Sequence, residues 1–456
     1  MDTSDTRWPI MARYRRRILL WTCVGLVSAC APPLPEDYTQ PDLDAAYAID
    51  PSAAAQVAGL PEIGFHDPVL TDLVRAALEG NPGLAAARAR LRAAAAEARA
   101  AGVRVSGNGN AAITFEDTGS NAANAGLVAT LDPSQPARQL AALTRAEAAS
   151  FDAEDARRLL VQEVVATYID LRFFQQLLEF RRADAASRRR TLNDLETLRA
   201  AGETIDIDVV SARALLVEAR GELPVLEADA ISRRNQLAAL IGRTSSDLGM
   251  DLAFAQHQPV PGGSTERGLP ADLLRQRPDI RGAERRYAAA LADISVARAA
   301  LYPSLSLSGQ IGIPLDDGAD ASLTPGLSIP VFNRPALRAG VDAAEARAVA
   351  AFQDWRTAVL TSVQELESAL ARRVAAERAV TAAEEVVALQ RRALQLSRRL
   401  LTEGGDVTAF EILDRERELT SARTALAQSR RDLGLADITL RAALGLDTVA
   451  VTASES

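Results

Sequence analysis

Much of this chain occurs twice, and the duplication constrains its fold more than any other feature. Ala239-Leu240-Ile241-Gly242 recurs 203 positions later as Ala442-Ala443-Leu444-Gly445. The same interval separates Gly202 from Gly405, and each glycine is followed, after five intervening residues, by an acid (Asp208 or Glu411). A fixed offset shared by several landmarks predicts two copies of one supersecondary unit.

Between these landmarks apolar residues recur at every seventh position, which is typical of a coiled-coil seam. They are Val209, Leu216, Leu223, Ala230 and Leu237 in the first half, and Ile412, Leu419, Leu426, Leu433 and Leu440 in the second. The chain is rich in alanine, arginine, leucine and glutamate, has no lysine, and is only 4% aromatic. This composition favours long, closely packed helices.

Each half is predicted to contain a helix, two strands, a long helix, a turn and a shorter helix. The predicted ranges are 82–101, 103–115, 126–132, 137–200 and 206–241 in the first half, and 278–300, 304–313, 322–332, 336–402 and 408–444 in the second. A helix of about 65 residues is about 95–100 Å long. The two shorter helices of each half, stacked end to end, would nearly match that length, so we expect one continuous and one composite rod per half.

The predicted strands alternate between apolar and polar residues. In 304–313 the apolar side has leucine and isoleucine, while the polar side has serine and glutamine rather than charge. Such alternation is typical of transmembrane barrel strands, although a half-buried strand of a soluble sheet also shows it. Four strands cannot close a barrel, and open edges do not persist in lipid. Closure therefore requires several chains, and three would supply twelve strands.

The N-terminus predicts a targeting segment. Arg13 and Arg15-Arg16-Arg17 precede an apolar stretch, 18–27, that is too short to span a bilayer. It ends in Leu26-Val27-Ser28-Ala29-Cys30, which resembles a bacterial lipobox and implies lipidation of Cys30. An ordinary signal peptide with an incidental cysteine is the alternative. By the same resemblance, Ala31 favours sorting to the outer membrane. Either Met1 or Met11 is the start, since residues 1–10 add nothing to the signal.

Several classes of function are not indicated. The formal net charge of -9 argues against a basic nucleic-acid footprint. Two cysteines and two histidines cannot build a disulfide framework or a Cys/His metal cluster. No nucleophile stands in a recognisable catalytic frame. We therefore expect no enzyme activity and no cofactor other than the covalent lipid.

A long motif in the second half carries a family resemblance. Leu269-Pro270-Ala271-Asp272-Leu273-Leu274 is followed by Arg277-Pro278-Asp279-Ile280-Arg281 and later by Tyr302-Pro303-Ser304-Leu305. This resembles the signature of TolC-like outer membrane factors, in particular the NodT-type lipoproteins of RND efflux systems. The resemblance covers nearly all of the mature chain. The first-half turn at 131–136 departs from the family pattern and keeps only Asp132.

The resemblance, with the duplication, implies a mainly α fold with membrane β-structure: paired coiled-coil helices and four strands per copy, and a homotrimer whose twelve-stranded barrel joins a helical tunnel. It implies a passive efflux channel in the outer membrane, bound to a periplasmic adaptor and an inner membrane RND-type pump. The alternatives are the channel of an ATP-driven type I secretion system, and a lipid-anchored periplasmic coiled-coil spacer without a pore.

The two helix-hairpin turns are the predicted functional sites. The resemblance implies that Gly202 and Gly405 form a periplasmic tip where the adaptor docks; ordinary loop glycines are the alternative. Four acids follow the turns and are predicted to form a periplasmic gate that attracts cations: Asp206, Asp208, Glu411 and Asp414. Alternatively, acids at helix N-termini simply complement the helix dipole.

The chain is therefore expected to have five segments. They are a signal peptide at 1–29, a lipidated tether at 30–65, a first repeat at 66–260 (strands 103–132, helices 137–241), a second repeat at 261–446 (strands 304–332, helices 336–444), and a C-terminal tail at 447–456.

Overall fold

A computed structural model describes most of the chain between residues 65 and 445. The described residues are 65, 67–102, 106–114, 122–202, 204–248, 252, 258–259, 261, 277–314, 320–402 and 408–445. The predicted lipidation site Cys30, the second turn glycine Gly405 and the signal, tether and tail segments lie outside them. So do 103–105 and 115, the ends of the first predicted strand.

Within these residues the helices and strands follow the predicted duplicated order. They are α1 (Pro68–Gly80), α2 (Pro82–Ala101), β1 (Ser106–Thr114), β2 (Ala122–Leu131), α3 (Gln135–Ala200), α4 (Asp206–Gly221), α5 (Leu223–Leu240), α6 (Pro278–Ala299), β3 (Ser304–Pro314), β4 (Asp320–Ser328), α7 (Arg334–Thr402) and α8 (Ala409–Ala443). Helices α3 and α7 have 66 and 69 residues. No helix in the described part of the chain is apolar over a long enough stretch to cross a membrane.

The helices differ from the prediction in two places, and two strands differ in their bounds: β2 begins at Ala122 instead of 126, and β4 ends at Ser328 instead of 332. Helix α1 was not predicted; it is capped by Asp67, begins with Pro68 and buries Leu70, Leu73, Val74 and Ala77 on one face. The single helix predicted at 206–241 is divided into α4 and α5 at Glu222, because Pro224 in the first turn of α5 lacks the N–H that a continuous helix needs. The corresponding helix of the second half, α8, is uninterrupted.

The four strands form one antiparallel sheet in the order β1-β2-β3-β4. The register pairs odd-numbered with odd-numbered residues throughout, for example Ala125 with Ile311 and Leu305 with Leu327. Because side chains alternate across a strand, the odd-numbered positions of all four strands share one face. On β3 this face has Leu305, Leu307 and Ile311, and the opposite face has Ser304, Ser306, Ser308 and Gln310.

The described residues fall into two compact units. The first comprises those of 89–151 and 281–358 and contains the sheet. Within it α3, α6 and α7 pack through aromatic and charged contacts. Tyr287 stacks on buried Trp355 with 5.9 Å between ring centroids, and Arg281 lies 4.4 Å above the ring of Phe151.

The second unit comprises the remaining described residues and contains two helical hairpins. Ala185, Leu192 and Leu195 of α3 are buried with Val209, Ala212, Leu216 and Ala219 of α4. Val387 and Leu394 of α7 are buried with Leu419 and Ala422 of α8. The predicted seven-residue seam is therefore the contact inside each hairpin. A larger core around Tyr168 joins α1, α3, α5 and α8.

In each half, the helix that follows the hairpin turn (α5 or α8) ends beside the start of a helix whose first residue is proline (α2 or α6). In the first half, Nδ2 of Asn81 donates to the carbonyl of Leu240 at 2.8 Å. In the second, Nη1 of Arg277 donates to the carbonyl of Ala443, the repeat equivalent of Leu240, at 2.9 Å. The end-to-end junction that a composite rod requires is thus present in both halves.

The Arg277 junction is ionic as well. Arg277 is almost fully buried, and it holds Asp279 at 2.7 Å and Glu365 at 2.9 Å. Burial alone would lower the pKa of Arg277, but its bonds to the two carboxylates outweigh burial and raise it. Burial would likewise raise the pKa of Asp279, yet the bond and charge of Arg277 hold it below the ordinary value.

Candidate functional site

The first hairpin turn reverses α3 into α4 at Gly202. The φ of Gly202 is +78°, a left-handed conformation that only glycine adopts without strain. A methyl group added at Gly202 would meet nothing within 4 Å. The turn therefore presents its backbone to open space at Gly202, as a docking tip would require.

The acids after the first turn have local partners. Asp206 pairs with Arg199 across the turn at 2.8 Å, and the side chain of Asp206 is 81% exposed. Oδ2 of Asp208 accepts a 2.6 Å hydrogen bond from the hydroxyl of Thr204. Both carboxylates lie in the first turn of α4, where they complement the helix dipole.

The acids after the second turn also lie in a well-defined helix start. Thr408 is the N-cap of α8 and forms a capping box with Glu411: the Glu411 N–H donates to Oγ1 of Thr408 at 3.3 Å, and the Thr408 N–H donates to Oε2 of Glu411 at 3.1 Å. Asp414 pairs with Arg417 one helical turn further on.

The structure thus brings the four predicted gate acids into two groups, one at the start of α4 and one at the start of α8. Each acid has a partner close by in the sequence, with which it forms an ion pair, a hydrogen bond or a capping box. A role in gating stays a prediction, since it depends on where copies of the chain meet.

A cavity of about 550 Å³ lies between the two hairpins, and sequence analysis did not predict it. Its wall includes Asp184 and Arg188 of α3, Leu215 and Glu218 of α4, and Asp414 of α8. One of the predicted gate acids therefore lines a space shared by both halves of the duplicated unit.

A polar network beside this cavity links the hairpins. Asp184 is buried; it pairs with Arg188 at 2.9 Å and accepts a hydrogen bond from Thr420 of α8 at 3.4 Å. Glu416 of α8 accepts from Ser187 at 3.1 Å and from Arg398 of α7 at 2.5 Å. The four-residue spacing of Asp184 and Arg188 on α3 could have suggested the ion pair within this helix.

The polar groups of this region form ion pairs and helix caps. Among the residues that the structure describes, no group of three or more His, Cys, Asp or Glu side chains is arranged to hold a metal ion.

Comparison with known proteins adds a second line of argument. The family model for outer membrane efflux proteins matches residues 73–243 and 269–446. Nodulation protein T of Rhizobium leguminosarum bv. viciae is 34% identical over 66% of this chain and 64% of that protein. The toluene efflux pump outer membrane protein TtgI of Pseudomonas putida is 32% identical over 63% of this chain and 62% of its own length. The chain thus spans slightly less than two thirds of these two relatives.

A solved structure of an outer membrane channel has the same fold over nearly the whole chain. The outer-membrane channel OprN superimposes with a TM-score of 0.80 and 28% identity, covering 91% of this chain and 99% of that channel.

Proposed function

The chain belongs to the outer membrane efflux protein family, and from this premise we propose that three copies form a passive channel through which an efflux system discharges small molecules across the outer membrane. The family and the fold of long paired helices with a four-stranded sheet, both predicted from the sequence, are confirmed, and the efflux role is part of the proposal. The trimer, the partners and the lipid anchor belong to the proposal.

The observation that carries the proposal is the sheet. Its register places leucine and isoleucine residues of β3 and β4 on one face, where Ile311, Leu323 and Leu327 are 51%, 70% and 62% exposed. The opposite face has serine, threonine and glutamine. An apolar face beside a polar one suits a wall between lipid and water.

The edges of the sheet support assembly. Within the described residues β1 pairs only with β2, and β4 only with β3. Unpaired backbone groups are costly in lipid, so β4 of one copy would pair with β1 of the next. Three copies give twelve strands and a closed wall.

Bilayer recordings test the channel. Purified, detergent-solubilised protein is expected to run as a trimer by native mass spectrometry and to give discrete conductance steps in a planar bilayer. A lipid-anchored spacer without a pore would instead leave the membrane once its acyl group is removed and would conduct nothing. Well-folded protein that is monomeric without detergent would contradict the proposal.

The lipid anchor on Cys30 has its own measurement. Mass spectrometry of the mature N-terminus is expected to find a diacylglyceryl group on Cys30 and acylation of its amine. Cys30→Ser should lose both modifications and delay delivery to the outer membrane. An unmodified N-terminus from a cut elsewhere would favour the ordinary signal peptide.

We extend the proposal to the turns as docking tip and gate. The exposed turn at Gly202 is open to an adaptor, and the second turn, with Gly405, is proposed to do the same. Such an adaptor would connect the channel to an inner membrane pump of the RND type. Gly202→Trp should weaken binding of the purified adaptor while leaving the trimer intact. Equal binding by wild-type and variant protein would remove Gly202 from the docking surface.

The gate acids can be tested through ion selectivity. In a trimer each carboxylate occurs three times, so Asp414→Asn and Asp206→Asn should each reduce the cation preference measured from reversal potentials. Asp72→Asn is the control. Asp72 is an exposed acid on α1 that pairs with Arg75 and lies far in sequence from both turns. An unchanged cation preference in all three variants would limit these acids to local helix stabilisation.

A further inference from the structure

A second cavity shares part of its wall with the one already described, but its charge is different. It has a volume of about 230 Å³ and is formed by α3 of the first hairpin together with α7 and α8 of the second. All of its lining residues belong to the second compact unit. We call this cavity the basic recess, because three arginines line it together with two acids: Arg190, Arg398, Arg423, Asp184 and Glu416.

Both acids of the basic recess already have cationic partners. Asp184 pairs with Arg188 at 2.9 Å, and Glu416 pairs with Arg398 at 2.5 Å. The same acids also accept hydrogen bonds from two hydroxyl groups of the wall. The four charges therefore cancel in two pairs, and neither acid is left to neutralise another arginine.

The other two arginines of the basic recess carry uncompensated charge. Within the part of the chain that the structure describes, Arg190 and Arg423 form no ion pair and no hydrogen bond. Arg423 is half-buried, whereas Arg190 is exposed at the mouth of the cavity. Guanidinium groups stay charged at every physiological pH, and two of them beside one small cavity repel each other. An anion bound between them would offset that repulsion.

Part of the wall is apolar. Leu394 and Leu419 are buried there, and Phe180 is half-buried with an edge open to the cavity. Apolar surface contributes nothing to holding a hydrated inorganic ion. It does favour the hydrocarbon part of an organic ion, which gains free energy when it leaves water. The combination of free guanidinium groups and apolar wall therefore indicates an amphiphilic anion.

We propose that the basic recess binds an organic anion, a carboxylate with a compact apolar body, at one site per chain. The carboxylate would lie between Arg190 and Arg423, since planar guanidinium groups donate paired hydrogen bonds to carboxylates. The apolar body would cover Phe180. Benzoate has this charge and shape and is small enough for a cavity of about 230 Å³. One copy of the chain builds the whole recess, so the inference goes beyond the proposed channel and does not depend on a trimer.

Calorimetric titration of the purified, detergent-solubilised protein with benzoate tests the site. We expect one benzoate to bind per chain, with an affinity that falls as the salt concentration rises, because the attraction is between charges. Benzamide has the same ring and nearly the same shape but no charge. It should bind about tenfold more weakly or worse, since hydrogen bonds to a charged group are the stronger ones.

Two variants and a matched control locate the site. Arg190→Gln and Arg423→Gln should each weaken benzoate binding about tenfold, because each removes a charged donor and keeps a long polar side chain. Arg189→Gln is the control. Arg189 is an exposed arginine on the same helix that does not line the recess, and its replacement should leave the affinity unchanged. Circular dichroism melting curves that match wild type establish that each variant is folded.

Three results would overturn the inference: no benzoate binding by folded wild-type protein, equal binding of benzamide and benzoate, or undiminished binding by both recess variants. Displacement of benzoate by an equal concentration of sulfate would also overturn it, because charge alone would then suffice. Native mass and bilayer conductance of the same samples report separately on the proposed function. A conducting trimer that does not bind benzoate would reject only the recess, whereas a benzoate-binding monomer without conductance would reject only the channel.

Discussion

The hydroxyl of Tyr168 donates a 2.6 Å hydrogen bond to Oδ2 of Asp67, 101 residues away in the sequence. Oδ1 of the same carboxylate accepts from the N–H groups of Val69 and Leu70 at 2.9 and 3.2 Å and so caps α1. Tyr168 is buried, and burial together with the bond to Asp67 raises the pKa of its hydroxyl, which therefore stays protonated as a donor. One carboxylate thus ties the start of α1 to the middle of α3.

Removing this tie should loosen α1 selectively. Tyr168→Phe leaves a partly buried carboxylate oxygen of Asp67 without this donor, and hydrogen bonds to charged groups contribute about 1.5–3 kcal/mol. Hydrogen exchange of the α1 amides should therefore become roughly ten- to a hundredfold faster, with the α7–α8 hairpin unchanged. Tyr302→Phe, at an exposed tyrosine, is the control. Unaltered exchange in α1 would show that apolar contacts alone hold this helix.

Three glycines with similar positive φ values should tolerate alanine very differently. Gly202, Gly242 and Gly445 have φ of 78°, 72° and 71°, so each pays about 1 kcal/mol or more for a side chain in this conformation. A methyl group on Gly202 enters open space, one on Gly445 approaches Cγ of Arg277 at 3.2 Å, and one on Gly242 overlaps the carbonyl of Gly80. Thermal unfolding should rank the losses Gly202→Ala, Gly445→Ala, Gly242→Ala, from smallest to largest. A Gly202→Ala variant as unstable as Gly242→Ala would contradict the tight contact at Gly80.

The Arg277–Asp279 pair predicts a pH dependence. The pKa of Asp279 is lowered in the folded protein, so its contribution to stability is fully present above the unfolded pKa of about 3.9 and is lost as pH falls through the folded value. Denaturant unfolding should therefore show Asp279→Asn to be less stable than wild type at neutral pH, with the difference shrinking below about pH 4. Asp72→Asn, at an exposed pair, should show little difference at any pH. A constant difference for Asp279→Asn would exclude its charge as the cause.

The two hairpin turns should differ in what their polar residues contribute to stability. Thr408→Ala removes the capping box of α8 and should cost about 0.5–2 kcal/mol. Asp206→Asn, at an ion pair whose partners are mostly exposed, should cost less than about 1 kcal/mol. Hydrogen exchange in the first turn of α8 and of α4 measures each effect locally. A larger effect of Asp206→Asn would reveal a structural role for this acid that its exposure does not suggest.

Most of the fold could be predicted because the heptads and the helix-opening prolines are local in sequence, and the repeat shows each of these signals twice. Helix α2 begins and ends at the predicted residues, and α3, α6, α7 and α8 do so within two. Helix α1 was missed because it lies outside the duplicated pattern and is stabilised by a distant partner, Tyr168. The break at Glu222 was missed because the seven-residue apolar pattern continues past Pro224. That pattern carries no information about the backbone N–H that proline lacks.

The candidate site was predictable only in part. A glycine at the end of a heptad pattern predicts a turn, and Gly202 is such a glycine. The Asp184–Thr420 and Ser187–Glu416 contacts join helices more than 200 residues apart, and a single sequence gives no register between such helices. The local partners of Asp206 and Glu411 follow from helix-start chemistry, which a sequence can indicate but not distinguish from gating.

The interruption at Glu222 has a consequence for symmetry. Because α4–α5 is segmented and α8 is continuous, the halves of each copy have different bending stiffness. In the proposed ring of three copies, segmented and continuous helices would then alternate, and an axial load would be expected to bend the wall first at the three Glu222 positions. A chimaera made of two second halves would remove those weak points and turn the assembly into a uniformly stiff column.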